Sequence, residues 1–596
     1  MNIFKRRLRT LRDALKEQGI DVYIVPNTDP HLGENTHEHW KIIQWLTGFS
    51  GSSALVVITK TFAGLWTDSR YFLQAQKQLE GTGFEMMNSA SSLTSAVSDW
   101  LRLNLKKGGI VAFDGRLVSS RWLQDLKVQL KPKQPVFVTE VDLVSPIWDN
   151  RPLVSGSVAF DHSVDFSGES TESKISRVRA GMKNKDVTHH LLNSPADVMW
   201  LLNLRASDLR FSPVLMSRAI ISLEQVLLFT DESKIPPKLS REFDRLGVVV
   251  LPYDELNAIL GSIGTGSVLH LSPDETSVSI SDSLPGDIVI SKGVSIVSCL
   301  KSVKNQVECE NLRKVMIRDG VAVTRFLKWL DENIQSGIIT EEASGRKLSQ
   351  LRLEQTNCTG ESFDPIVAFN EHAALPHYSY ADHPETIIGT NGVLLIDSGG
   401  QYLDGTTDMT RCIATGKPSY EQTVDYTLVL KGMIKLATAR FPVGTRGSRL
   451  DVLARKALWD QGINYGHGTG HGVGFFLNVH EAPPTISPST LSQYDLPLEP
   501  GMVVTDEPGI YRAGKYGFRI ENMLLVKEDI TTGFGSFLSF ETLSLCYIDT
   551  RLVLTSLLDI SELQWLNNYN SEVYHKLSLF LGEEERNWLK KRTNPV

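Results

Sequence analysis

A short glycine-rich stretch gathers a large share of the histidines in this chain. YGHGTGHGVGFFLNVHE, residues 465–481, contains three histidines and five glycines, and the whole chain has 14 histidines. Histidine is the commonest metal-binding side chain and carries protons near neutral pH, while glycine lets a backbone bend tightly and approach a ligand. A phosphate-binding loop would need a Lys-Ser/Thr pair after the glycines, and none follows. The stretch therefore indicates a metal or catalytic site, or else a tight turn with surface histidines.

Four acidic residues end or interrupt strand-like segments on either side of this stretch. Upstream, VLLID ends at Asp397, and the turn SGGQYLDG leads back to Asp408, so that a hairpin would bring the two carboxylates together. Downstream, Glu507 ends an apolar strand before Pro-Gly, and Glu521 stands in the middle of an apolar strand. Close carboxylates repel each other unless one is protonated or a cation lies between them. Taken alone, each acid also fits a structural role, such as pairing with a nearby arginine, and Asp404 fits an ordinary turn residue.

Together, these acids and histidines predict a carboxylate-rich site for two metal ions. Hard oxygen ligands with one imidazole suit Mn, Co, Zn or Fe(II), and they differ from the thiolate sites of structural zinc. The five cysteines are scattered and contain no Cys-x-x-Cys. We therefore expect neither disulfides nor a zinc knuckle, and a reducing compartment is the default.

The segments that must position this site fall into three predicted domains. Apolar residues recur at helical spacing from Phe4 to Leu15, and the strand-like DVYIVP follows; a similar order restarts near Ser173. We predict two related α/β domains, 1–160 and 161–302, although two unrelated domains could share such a start by chance. The last domain, 303–596, opens with a long amphipathic helix and contains the site. Its predicted buried face carries Leu312, Val315, Val323, Phe326, Leu327 and Leu330.

Composition excludes several classes of function. A chain of 596 residues is too long for one core, and 41% hydrophobic with 22% charged residues is ordinary for a soluble protein. A net charge of −8 argues against nucleic acid as a partner. No apolar run approaches the roughly 20 residues of a membrane span. The Arg-rich start carries Asp13 and Glu17, so we predict a first helix and not a transit peptide, and we expect a cytoplasmic protein.

Four motifs together resemble the signature of the pita-bread metallopeptidases, which include methionine aminopeptidase, prolidase and aminopeptidase P. These motifs are DSGG…TTDMTR, HGTGHGVG…NVHE, DEPGIY and RIEN. With two upstream domains and the C-terminal WLNNYN…WLKKRTNPV, the whole chain most resembles the long, three-domain cytoplasmic Xaa-Pro aminopeptidases. The resemblance implies a mixed α/β (α+β) fold, with two related creatinase-like α/β domains followed by a C-terminal pita-bread domain.

The resemblance also assigns a role to each site residue. Carried over position by position, the metal ligands are expected to be Asp397, Asp408, His471, Glu507 and Glu521. Asp408 and Glu521 are expected to bridge two divalent ions, with Mn²⁺ favoured and Zn²⁺ or Co²⁺ as alternatives. His467, His480 and His377 are expected to handle the substrate. The segment SFDPIVAFNEHAALPHY, which leads to His377, departs from the family's usual wording.

The function implied is removal of the first residue from peptides with proline in second position. A hydroxide shared by the two ions would attack the Xaa-Pro bond, Glu507 would carry its proton to the proline nitrogen, and His377 would stabilise the oxyanion. Phe475 and Phe476 could provide an apolar shelf for the proline ring, or they could simply be core residues. We also expect peptides as partners and a homodimer, with no membrane contact.

Two alternative functions stay open. A prolidase would cleave only Xaa-Pro dipeptides, and a catalytically silent pita-bread protein would bind peptides without cleaving them. A creatinase-like amidinohydrolase would not be expected to keep this set of ligands.

Overall fold

The structure, a computed structural model, describes residues 2–88, 92–154, 156–490 and 492–596. The chain forms two compact units. The first unit comprises Met1–Asp161 with Ser170–Val297, and the second comprises His162–Glu169 with Ser298–Val596. Among the described residues, no helix combines the length and apolar character needed to cross a bilayer.

The first unit begins with a six-stranded sheet flanked by helices. Its strands are β1 (Val22–Pro26), β2 (Ala54–Thr59), β3 (Ala63–Thr67), β4 (Glu85–Asn88), β5 (Ile110–Ala112) and β6 (Val136–Val138). Its helices are α1 (Ile3–Glu17), α2 (Ile42–Thr47), α3 (Phe72–Gln78), α4 (Leu93–Asn104) and α5 (Ser120–Gln129). The Asn2 side chain caps α1 by accepting from the Phe4 amide, and Leu8, Leu11 and Leu15 are buried, as the helical spacing predicted.

The following stretch of chain forms a second six-stranded sheet and a separate two-stranded sheet of β7 and β9. The strands of this stretch are β7 (Phe160–Asp161), β8 (His189–Leu192), β9 (Leu204–Arg205), β10 (Arg218–Ser222), β11 (Val226–Phe229), β12 (Val248–Leu251), β13 (Val268–Leu271) and β14 (Val289–Lys292). Its helices are α6 (Val164–Ser167), α7 (Thr171–Asn184), α8 (Pro195–Leu202), α9 (Pro237–Leu246), α10 (Leu256–Gly261), α11 (Val278–Asp282) and α12 (Ile296–Ser302). Of these, α6 and the end of α12 belong to the second unit.

The two sheets of the first unit share one topology. The first has the order β4-β3-β2-β1-β5-β6, and the second has the order β12-β11-β10-β8-β13-β14. In both sheets the central strand pairs antiparallel on one side and parallel on the other. The outer neighbours also match in direction, with parallel pairs at each edge. The relationship between the two N-terminal α/β domains, which the sequence indicated only faintly, is therefore confirmed.

The second unit is built on antiparallel sheets covered by helices. Its helices are α13 (Gln306–Asn333), α14 (Glu341–Leu353), α15 (Tyr420–Ala437), α16 (Gly447–Trp459), α17 (Ile560–Leu577) and α18 (Glu583–Arg592). The first strands are β15 (Cys358–Glu361), β16 (Ile366–Phe369), β17 (Val393–Ser398), β18 (Gly400–Tyr402), β19 (Gly405–Thr406), β20 (Met409–Ala414) and β21 (Arg440–Pro442). The remaining strands are β22 (Gly470–Gly472), β23 (Glu481–Ile486), β24 (Val503–Asp506), β25 (Gly509–Arg512), β26 (Tyr516–Arg519), β27 (Asn522–Thr532) and β28 (Gly535–Thr542).

Two of these sheets carry the predicted site. One has the order β16-β17-β20, and the other has the order β21-β28-β27-β24-β22-β23. The long helix predicted after residue 303 is α13; it starts at a capping box made by Asn305 and Glu308, and its predicted apolar face is buried. The strands of these two sheets therefore position the acidic residues and His471.

Candidate metal centre

Asp397 and Asp408 meet through the register of one antiparallel strand pair. Asp397 lies in β17 opposite Thr410 of β20, and Asp408 directly precedes β20. Donor oxygens of Asp397, Asp408 and Glu521 all lie within 4.8 Å of one another. The hairpin predicted from the sequence therefore brings the two aspartates together. Asp404 instead pairs with Arg318 at 2.6 Å, which agrees with a structural role.

The two glutamates reach the same point from the other sheet. Glu507 directly follows β24, and its amide donates to the Thr469 carbonyl at 2.8 Å. Glu521 lies in the break between β26 and β27, and not inside a strand as expected. Its amide donates to the Thr410 carbonyl of β20 at 3.1 Å. The Thr410 hydroxyl also donates to the Glu521 carboxylate at 2.8 Å. This break turns the Glu521 side chain toward the aspartates.

The glycine-rich stretch places His471 beside the acids. A Cβ atom built on Gly470 would overlap the Thr505 carbonyl oxygen, so only glycine fits where β22 packs against β24. The His471 Nδ1 lies 2.9 Å from the Gly472 carbonyl oxygen. Because a carbonyl only accepts, Nδ1 carries a proton, which in the neutral ring leaves the lone pair on Nε2. That Nε2 lies 3.5 Å from Asp408 and 3.6 Å from Glu507, so it points into the acidic cluster.

The electrostatics of the cluster fit divalent cations. Asp397, Asp408 and Glu521 are buried, and within the described part of the chain the Asp397 Oδ1 has no hydrogen-bond partner. Burial, reinforced by Asp408, raises the pKa of both Asp397 and Glu521, and burial raises the pKa of Glu507 to about 7. Such a crowd of carboxylates is unfavourable unless protons or cations compensate it. Carboxylate oxygens with one imidazole lone pair are the donors that Mn²⁺, Co²⁺ and Zn²⁺ accept.

A hydrogen-bonded chain that the sequence reasoning missed supports the centre. Arg519 donates to the Asp397 Oδ2 at 2.5 Å and to the Tyr511 hydroxyl at 2.9 Å. Tyr511 in turn lies 2.8 Å from the His467 Nε2, while the His467 Nδ1 lies 2.8 Å from the Gly468 carbonyl oxygen. His467 is therefore protonated on Nδ1 and accepts from Tyr511. Both Arg519 and Tyr511 stand inside the quoted motifs RIEN and DEPGIY, and an arginine in an apolar strand was the available signal.

The other predicted substrate residues lie in different surroundings. The His480 ring is 4.3 Å from the His471 ring, and its donor atom joins those of Asp408 and His471 within 4.8 Å. His377 is half-buried in the connection between β16 and β17 and belongs to none of the donor groups found among the described residues. Phe475 and Phe476 are each 2% exposed and lie against His162, which favours the core alternative for both.

Antiparallel sheets whose strand ends gather donors for two metal ions define a pita-bread metallopeptidase domain. Residues 310–528 match the family described as Metallopeptidase family M24, and residues 536–596 match the C-terminal region of that peptidase family. Residues 7–143 and 150–308 each match a Creatinase/Prolidase N-terminal domain. The chain belongs to metallopeptidase family M24.

Relatives match the chain from end to end. A probable Xaa-Pro aminopeptidase P of Paracoccidioides brasiliensis is 36% identical over 99% of each chain. Another from Laccaria bicolor is 36% identical over 99% of this chain and 93% of its own. The crystal structure of an X-prolyl aminopeptidase from Caenorhabditis elegans is 34% identical, with a TM-score of 0.95 over 100% of both chains.

Proposed function

We propose that this chain is an Xaa-Pro aminopeptidase, a hydrolase that removes the first residue from peptides with proline in second position. The observation that carries the proposal is the end-to-end likeness to the C. elegans enzyme, which is described as cytosolic with a di-nuclear active site. The intact donor set supports catalysis over a silent peptide-binding role, because a pure binding protein has no need for converging acids.

In this proposal the chain holds two divalent ions, with Mn²⁺ favoured. The residues that would hold them are Asp397, Asp408, His471, Glu507 and Glu521, whose donor atoms fall into overlapping groups within 4.8 Å. The ions would lower the pKa of a bound water and polarise the carbonyl of the first residue. The proton on the His471 Nδ1 is held by the Gly472 carbonyl, which keeps Nε2 available as a ligand.

The remaining residues move protons and hold the peptide. Glu507 would take the proton of the attacking water and pass it to the departing proline nitrogen. His377 would donate to the developing oxyanion. Both nitrogens of His467 are engaged, by Tyr511 and by the Gly468 carbonyl, so His467 would offer its ring surface to proline and not a hydrogen bond. His480, beside His471, would contact the peptide near the scissile bond.

Proline specificity is the direct test of this proposal. An Xaa-Pro bond has no N–H, and its ring restricts the backbone, so a site built for it loses contacts with other residues. We expect Arg-Pro-Pro to be cleaved ~10²-fold faster than Arg-Ala-Pro in kcat/KM. A prolidase would instead prefer the dipeptide Arg-Pro, and a silent protein would cleave none of the three. The metal content of the same sample should also be measured, because protein that has lost its metal would be inactive for that reason alone.

The proposal extends to the state of the protein in the cell. We propose a cytoplasmic homodimer that handles soluble peptides. The cytosolic description of the C. elegans structure supports the compartment. Light scattering coupled to gel filtration would give a mass near twice 66.4 kDa for the homodimer and 66.4 kDa for a monomer.

A further inference from the structure

One buried carboxylate ties together the connection that carries His377. Glu341 is the first residue of α14 and is fully buried. Its oxygens accept from the Phe369 amide at 2.6 Å, from the His372 Nδ1 at 3.0 Å and from the Tyr378 hydroxyl at 2.6 Å. A single side chain therefore holds the entrance of the connection, its first turn and the residue next to His377.

Three stacked aromatic rings also stabilise the connection between β16 and β17. The His372 ring lies 4.5 Å from the Tyr378 ring and 5.1 Å from the His383 ring, at interplanar angles of 20° and 16°. Tyr378 and His383 are 6.2 Å apart and nearly parallel, at 5°. Tyr378 is thus held both through its hydroxyl and through its ring. The backbone of His377, one residue earlier, has little freedom to shift while both contacts persist.

The connection also contacts the β25–β26 hairpin, which lies between Glu507 and Glu521 in the sequence. A Cβ atom built on Gly517 would overlap the Ala373 carbonyl oxygen, so the two backbones are in direct contact. Gly517 pairs across the hairpin with Tyr511, whose hydroxyl joins Arg519 to His467. On its other side the connection packs against α14, where Gly345 faces the Tyr380 ring. Glu341 therefore fixes a segment enclosed between α14 and the metal centre.

We propose that Glu341 is a positioning residue for His377, acting through Tyr378 and His372. The inference rests on the proposed function, in which His377 reaches the substrate. This role of Glu341 explains how a segment whose sequence differs from the family's usual motif can still hold His377 in place. Losing the carboxylate would leave the buried Tyr378 hydroxyl and Phe369 amide with a weaker acceptor, and the connection would relax around His377.

A double-mutant cycle on the metal-loaded enzyme tests this role. The variants are Glu341→Gln, His377→Ala and the pair, assayed on Arg-Pro-Pro. Glu341→Gln is expected to lower kcat ~10-fold to ~100-fold with KM nearly unchanged, since small displacements of a catalytic group cost that much. In the His377→Ala background the same change should have almost no further effect. Glu342→Gln is the matched control, because Glu342 pairs on the surface with Arg346.

Two further measurements separate positioning from general damage. Tyr378→Phe keeps the ring and removes only the hydroxyl, so it should act in the same direction and also lose its effect without His377; it carries the test if Glu341→Gln does not fold. The rate at which diethyl pyrocarbonate modifies His377, followed by peptide mass spectrometry, should change in Glu341→Gln and Tyr378→Phe but not in Glu342→Gln.

The outcomes distinguish this inference from the proposed function. Independent, multiplicative effects of Glu341→Gln and His377→Ala would overturn the positioning role, and so would an unchanged modification rate of His377. If no Xaa-Pro peptide is cleaved by the unmodified protein but the modification rate still changes, the proposed function fails and the positioning of His377 stands.

Discussion

The two units bury charged groups in opposite ways. In the first unit, the buried Asp29 accepts from the amides of His31 and Gly33 at 2.9 and 3.3 Å, with Arg218 nearby. His31 is equally engaged: its Nδ1 donates to the Asn193 carbonyl, its Nε2 accepts from a tyrosine hydroxyl, and burial lowers its pKa to about 3. Asp29 and His31 are thus satisfied within the protein, which is how buried polar groups support a fold.

The second unit leaves its acids short of partners. The carboxylates of Asp397, Asp408, Glu507 and Glu521 converge, and Arg519 ion-pairs with Asp397. Ten residues along the chain from His471, positive charge is in excess instead. The single carboxylate of Glu481 forms ion pairs with two buried lysines, Lys301 and Lys304, at 2.5 and 2.7 Å. The contrast teaches that burial of a charge is not itself a sign of function. A site for a bound ion is indicated when several buried side chains of like charge converge on one point without enough opposite charge to balance them.

Metal removal should affect only the second unit, and it should have the largest effect. We expect chelation to abolish peptide cleavage and Mn²⁺ to restore it, because the acid cluster needs cations. Hydrogen exchange should increase in β17, β20 and β22 and stay unchanged in β1 and β8. Glu521→Gln, which removes one like charge, should make the metal-free protein more stable than the metal-free parent. Full turnover by protein shown to be free of metal would contradict the assignment.

Replacing one buried acid in each unit by its amide should distinguish an acid of the metal centre from an acid that only supports the fold. Glu507→Gln is expected to lower kcat by ~10³-fold while peptide binding persists, because the proton carrier and a ligand charge are lost together. Asp29→Asn should leave kcat within about twofold, since it only replaces a structural acceptor. Steady-state kinetics and calorimetric titration with a peptide check both. Near-normal kcat in Glu507→Gln would remove Glu507 from the mechanism.

The lysine pair at Glu481 tests whether a compensated charge cluster is purely structural. Glu481→Gln removes the carboxylate that both buried lysines contact, and we expect a loss of about 3 to 5 kcal/mol in the free energy of unfolding. The control is Glu541→Gln, whose partner Arg313 is 44% exposed, with an expected loss below about 1 kcal/mol. Urea unfolding of both variants gives the comparison. Equal losses would show that burial adds nothing to this interaction.

The smallest expected effect is the pH dependence of the first unit. Burial raises the pKa of Asp29 from 3.8 to about 6, so the folded state holds its proton more tightly than the unfolded state. Stability is then lost as pH rises from about 4 to 6, and Asp29→Asn should recover about 1 to 3 kcal/mol at pH 7 but little at pH 4. Unfolding of the first unit followed at both pH values checks the sign. A variant that is less stable at pH 7 would mean that Asp29 is ionised and paired.

Much of the fold and of the donor set could be predicted because the signals are local. The α13 helix follows from apolar spacing over residues 306–333, and the strand ends at Asp397 and Glu507 follow from short apolar runs before turn residues. The faint repeat of the first two domains was also predictable, because two segments with the same order of elements adopt the same strand order. The position of Glu521 was not predictable, because its amide bonds to Thr410 of β20, a residue distant in sequence.

By itself, the sequence determined which residues could bind metal and in what order they occur, since side-chain type and turn chemistry are written locally. Only the tertiary structure decided which partner each one meets. Arg519 reaches Asp397 across 122 residues, and Glu341 reaches Tyr378 across 37, through strand register and helix packing. The proton positions on His467 and His471 were likewise decided by neighbouring carbonyls and by Tyr511. The physical reason is that hydrogen-bond and ion-pair partners are chosen by folded geometry, which no local pattern specifies.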